Sequence, residues 1–69
     1  MTVKTIESAM NALVKEGYLD GHNNSLLIGV INALKHGNEY SANQGLDGVI
    51  DNYRRAGNRE AANIVAKAR

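Results

Sequence analysis

Gly17, Gly37 and Gly57 stand twenty residues apart, and each closes a segment whose last turn carries cations: Lys15, then Lys35 with His36, then Arg54 with Arg55. Glycine just past a helix end takes the left-handed conformation that closes the final turn, and cations there suit the negative end of the helix dipole. Three such stops in a chain of 69 residues leave room for four short helical segments and no long one. There is no proline, and no segment alternates apolar and polar residues with the period of a strand. The expected fold is all-α: a small bundle of three to four short helices around a central apolar helix, in one domain over residues 1–69. Ile6, Leu26 and Leu46 correspond at the same interval, as do Met10, Val30 and Ile50. Helices of similar length produce such matches too, and three units barely reach the minimum for a repeat array.

The spacing predicts a first helix over 3–16, where Val3, Ile6, Met10, Leu13 and Val14 share an arc of roughly 100° and Thr2 or Thr5 is the cap. Tyr18 to Asn24 reads as a loop, with Asn24 or Ser25 capping a second helix that runs to about His36. Ala33, Leu26, Val30, Leu34, Leu27 and Ile31 spread over about 160° of that helix, with Ile28 beyond their edge. A helix so widely apolar is either the centre of the domain or part of a subunit interface. Residues 38–44 give a weak signal that Gly45 should interrupt, and a third helix is expected over 46–56. Gly48 costs it about 1 kcal/mol relative to alanine. Asn58 caps a fourth helix, with Ala61, Ile64, Val65 and Ala68 as a thin apolar seam.

Composition then narrows the classes. Hydrophobic residues make up 43% of the chain and charged ones 22%, richer in apolar side chains than a disordered tail. Eight Lys/Arg against seven Asp/Glu leave a net charge of +1, too small to drive association with nucleic acid or a membrane by itself. Without cysteine there is no disulfide framework, thiolate metal site or thiol nucleophile. Lys4 and Glu7 interrupt the amino-terminal apolar residues, so no signal peptide is expected, and the run from Leu26 to Ile31 is far short of the ~20 residues of a membrane span. A complete small cytoplasmic protein is expected.

No constellation of reactive side chains stands out. His22 and His36 are fourteen residues apart and lack partners at helical ligand spacing, so no metal and no cofactor are expected. The stretch from Asp20 to Ile31 fails as a calcium loop, with Ser25 in place of the turn glycine and Ile31 in place of the bidentate glutamate. Asp47 and Asp51 are one turn apart, but Arg54 and Arg55 follow at pairing distance. Ser8, Ser25 and Ser41 have no neighbouring histidine, and Gly45 and Gly48 lack the lysine and strand context of a phosphate loop. No catalytic residue and no enzyme activity are expected. Lys15-Glu16-Gly17-Tyr18-Leu19 is similar to the close of a winged-helix recognition helix, yet no strands follow to form a wing, so it assigns no family.

Two functions of different class remain. The first is a small interaction protein that docks on a macromolecular protein partner as accessory subunit, regulator or inhibitor, as a virus-borne or mobile-element protein of this size would. Leu27, Ile28, Tyr18 and Tyr40 are its candidate contact residues, and pairing of the wide second helix makes a homodimer the expected assembly. The second is a nucleic-acid binder. Residues 54–69 hold Arg54, Arg55, Arg59, Lys67 and Arg69 against Glu60 alone, and Arg54, Arg55 and Arg59 are the candidate phosphate contacts. A helix-turn-helix reader is disfavoured because the loop from Gly17 to Asn24 is too long and the Gly57-Asn58 turn too tight.

Overall fold

Each helix starts on a side chain that replaces a missing backbone partner, in a computed structural model that describes all of residues 1–69. Thr2 caps α1 (Val3–Lys15) through a reciprocal capping box: Thr5 N donates to Thr2 Oγ1 at 3.1 Å, and Thr2 N donates to Thr5 Oγ1 at 2.9 Å. Asp20 caps α2 (Gly21–Lys35), Asn38 caps α3 (Glu39–Arg55) and Asn58 caps α4 (Arg59–Ala66). The three glycine stops are real, with φ of 75°, 73° and 76° at Gly17, Gly37 and Gly57. Each makes the same pair of closing bonds. Gly17 N donates to Val14 O and Tyr18 N to Leu13 O, and the amides of residues 37–38 and 57–58 repeat this. An asparagine cap follows the last two glycines directly, so both turns have one shape: φ −95°, ψ 79° at Asn38 and φ −98°, ψ 80° at Asn58. What repeats is the turn, because the helices differ in length.

Each helix packs on the next, and α4 returns against α1 to close a ring of four, with no backbone contact across the diagonals. The closure is hydrogen-bonded: Thr5 Oγ1 donates to Ala68 O at 2.8 Å, and the amino-terminal ammonium donates to Arg69 O at 2.7 Å. The Cα radius of gyration is 10.7 Å, against roughly 11 Å for a packed globule of this length. One core of fourteen residues draws on every helix: Ile6 and Leu13 from α1, Leu27 and Val30 from α2, Leu46 and Val49 from α3, and Val65 from α4 are among its fully buried members. The all-α expectation holds.

Two expectations are corrected. The second helix begins at Gly21, ahead of the expected Asn24 or Ser25 cap, because the Asp20 carboxylate accepts from Asn23 N at 2.7 Å. Residues 38–44 are helical, and α3 runs unbroken through Gly45. At Gly45 α3 crosses α2 so closely that an added Cβ would lie 2.8 Å from Val30 Cγ2. The glycine therefore fits the helix pair together instead of ending a helix. The wide apolar arc of α2 is flanked by α1 and α3, which leave Ile28, beyond the edge of that arc, 46% exposed.

Candidate functional site

Two of the three exposed large hydrophobic residues, Val14 and Ile28, belong to the helices that form the α1–α2 seam. Helix α1 has three faces: Ile6, Ala9 and Leu13 enter the core, Lys4, Thr5, Ser8 and Ala12 border α4, and Glu7, Met10 and Asn11 border α2. Ile31 meets Met10 and Asn11 across the α2 side of that seam. Val14 lies one turn beyond Met10, and Ile28 one turn before Ile31. Both steps lead along their helices toward the turn at Gly17 that joins α1 to α2. Val14 is 63% exposed, and helical spacing sets it and Ile28 on the seam-facing sides of α1 and α2, in one strip with the half-buried Met10 and Ile31. Nothing in the sequence pattern set Val14 apart from the core stripe, since it shares an apolar arc with Leu13.

The other expected docking residues do not join this strip. Leu27 is fully buried beneath it and presents no surface. Tyr18 is half-buried, and its hydroxyl donates to Glu60 Oε2 at 2.6 Å in an exposed bond that ties the α1–α2 connection to α4. That bond, followed by partial burial and the charges of Glu60 and Glu16, raises its pKa above the ordinary 10.0. Tyr40 is 73% exposed at the start of α3, accepts from Gln44 Nε2 at 3.1 Å, and covers no patch on α2.

A second surface is cationic. Arg54, Arg59 and Asn63 surround the Gly57 turn with Ala62. Arg55, the third expected phosphate contact, points to its own helix and pairs with Asp51 at 2.6 Å. Arg69 pairs with Asp47, joining the carboxy terminus to α3. Lys67 and Lys4 flank the neighbouring α1–α4 groove, floored by Ala9, Ala12, Ile64 and Ala68.

The third feature is a polar node that sequence reasoning missed. Asn23 is the sole buried polar residue. Its Nδ2 donates to Asp20 Oδ2 at 3.1 Å and its Oδ1 accepts from Asn52 Nδ2 at 3.0 Å. The Tyr53 hydroxyl donates to Tyr18 O at 3.1 Å. Burial pushes the Tyr53 pKa up, as does the Asp20 charge, against an opposing hydrogen bond from Asn23. No buried side-chain polar atom is unpartnered, so the node is a fully satisfied structural clamp.

No three His, Cys, Asp or Glu side chains converge as metal ligands do. His36 Nδ1 lies 2.8 Å from Asn32 O, within its own last turn. No helix is long and apolar enough to cross a membrane. The α1–α2 connection is five residues, shorter than the expected loop, which removes length as a reason against a helix-turn-helix; the exposed face of α2 nevertheless carries only His22 and Lys35 as basic side chains. Family models, curated proteins and solved structures yield no match to this chain.

Proposed function

We propose that this chain is a small non-enzymatic interaction protein that docks on a protein partner through the α1–α2 seam, acting as an accessory subunit, regulator or inhibitor. The observation that carries the reading is the exposure of Val14 and Ile28 on the two sides of one seam, with Met10 and Ile31 already half-buried between them. Burying such side chains contributes about 25 cal/mol per Å² of apolar surface, with Glu7 and Asn11 as the polar neighbours a partner would have to satisfy. Asp47 and Asp51, the paired carboxylates a reaction would need, are both held in ion pairs, which favours a binding role over a catalytic one. A cytoplasmic setting belongs to the same proposal and rests on the cysteine-free composition.

The occupant we favour is another protein rather than a second copy of this chain. A stable isologous pair buries about 800 Å² on each side, and four partly exposed side chains fall well short of that. A different protein can extend its contact beyond the strip. Affinity capture from a lysate of the source cells, after nuclease treatment, tests the reading. A partner retained by the native chain and lost from a Val14→Lys/Ile28→Lys variant with unchanged helical circular dichroism is the expected result. Equal capture by both chains would overturn it.

A further inference from the structure

We infer that the outer face of α4 binds the phosphate backbone of nucleic acid, through Arg54, Arg59 and Lys67 with Lys4 across the α1–α4 groove and the Asn63 amide between them. This surface lies on the other side of α1 from the docking seam and uses none of its residues.

The register of α4 aligns these groups. Arg59, Asn63 and Lys67 follow one another at four-residue steps, within an arc of about 80° and along a rise of about 12 Å. Ala61, Val65 and Ala68 are buried on the opposite face. The tight Gly57 turn brings Arg54 of α3 to the same cleft as Arg59 and Asn63. Lys4 extends the stripe from α1, because ring closure sets it beside Lys67 on the adjoining groove. No carboxylate lines either cleft.

Pairing distinguishes these cations from their neighbours. Arg55 and Arg69 spend their charge on Asp51 and Asp47, whereas Arg54, Arg59, Lys4 and Lys67 have no carboxylate partner. Glu60 is the only acid on α4, and the Tyr18 hydroxyl engages it beside the α1–α2 turn. Two free guanidinium groups suit bidentate contact with phosphate oxygens, and an amide between them adds donors. A free phosphate would engage one end of the stripe, whereas its length matches a chain of phosphates. The clefts contain no aromatic side chain on which bases could stack, so recognition is of backbone and tolerant of sequence. The basic set expected from the sequence is thereby redrawn: Arg55 and Arg69 leave it, Lys67 stays with Arg54 and Arg59, and Lys4 enters from α1.

Fluorescence anisotropy with labelled duplex DNA, single-stranded DNA and single-stranded RNA, using the full chain at low ionic strength, tests the assignment. Binding to at least one is expected, with a log–log salt slope of about −3 to −4 for four phosphate contacts. Arg54→Gln/Arg59→Gln and Lys4→Gln/Lys67→Gln should each weaken binding roughly tenfold or more, as loss of two phosphate contacts implies. Arg55→Gln/Arg69→Gln should weaken it clearly less than either stripe variant, because Asp51 and Asp47 beside those cations offset part of their attraction for phosphate. All six side chains are exposed, and circular dichroism verifies each fold. Absence of binding to all three probes would overturn the inference. So would binding that survives both stripe variants, an equal loss in the Arg55/Arg69 variant, or tighter binding to heparin than to any nucleic acid.

Discussion

Gly45 and Gly48 lie on the same helix, three residues apart, and alanine should act on them with opposite sign. At Gly48 an added Cβ meets nothing within 4 Å, so Gly48→Ala should stabilise the fold by about 1 kcal/mol, the helix-propensity difference. At Gly45 the new methyl would press on Val30 Cγ2, the tip of a stiff β-branched side chain that is only 1% exposed. Overpacking of that kind costs about 1–3 kcal/mol, enough to cancel or exceed the propensity gain. Thermal melts of the two single variants check the contrast, and Val30→Ala combined with Gly45→Ala should be less destabilised than the two changes sum to. Helix propensity alone treats these glycines as equals. The difference between them resides in α2, which no local reading of α3 contains.

At the level of elements, the clamp around Asn23 decides where α2 begins. Asp20→Ala removes both the cap and the partner of a buried amide, so its cost should exceed the ~1 kcal/mol of an ordinary cap loss and approach ~2 kcal/mol. Asn58→Ala, a cap with no such second duty, should stay near ~1 kcal/mol. Urea midpoints of the two variants compare them directly. Asp20, Asn23, Asn24 and Ser25 are all competent caps, which is why the start of α2 was illegible locally. Asn52, reaching across from α3, selects among them by fixing Asn23. The same clamp predicts alkaline behaviour. Since burial raises the folded-state pKa of Tyr53 above 10.0, its contribution is complete below about pH 10 and is lost as pH climbs through the higher folded value. Urea midpoints measured across that range should fall less steeply for Tyr53→Phe than for the native chain; parallel loss would place the effect elsewhere.

For the whole molecule, one small core supplies nearly all the cohesion. Leu13→Ala, Val30→Ala and Ile50→Ala should each cost roughly 2–4 kcal/mol, valine at the lower end. A domain of this size rarely holds more than about 3–5 kcal/mol, so these variants should be largely unfolded at body temperature, as a thermal melt would register. Self-association is a separate matter. Light scattering should give a 7.4 kDa particle even at high concentration, given how little apolar surface the seam leaves open. A concentration-dependent dimer dissolved by Ile28→Lys would instead assign the seam to a second copy.

The chain's own pattern determined four helices, three of their stops, the Thr2 and Asn58 caps and most of the core. These depend on residues within one or two turns of each other: a glycine free to take positive φ, a side chain reaching an amide three residues on, and apolar positions at helical spacing. Tertiary structure alone decided which apolar residues ended up outside. Leu26, Leu27 and Ile28 are consecutive and chemically alike, yet only Leu27 is fully buried, because α1 and α3 cover one side of α2 and the ring closes without covering the other. It also decided the state of the last arginine: Arg55 pairs with Asp51 one turn back on its own helix, as spacing allows, whereas Arg69 meets Asp47 only because the carboxy terminus folds back onto α3.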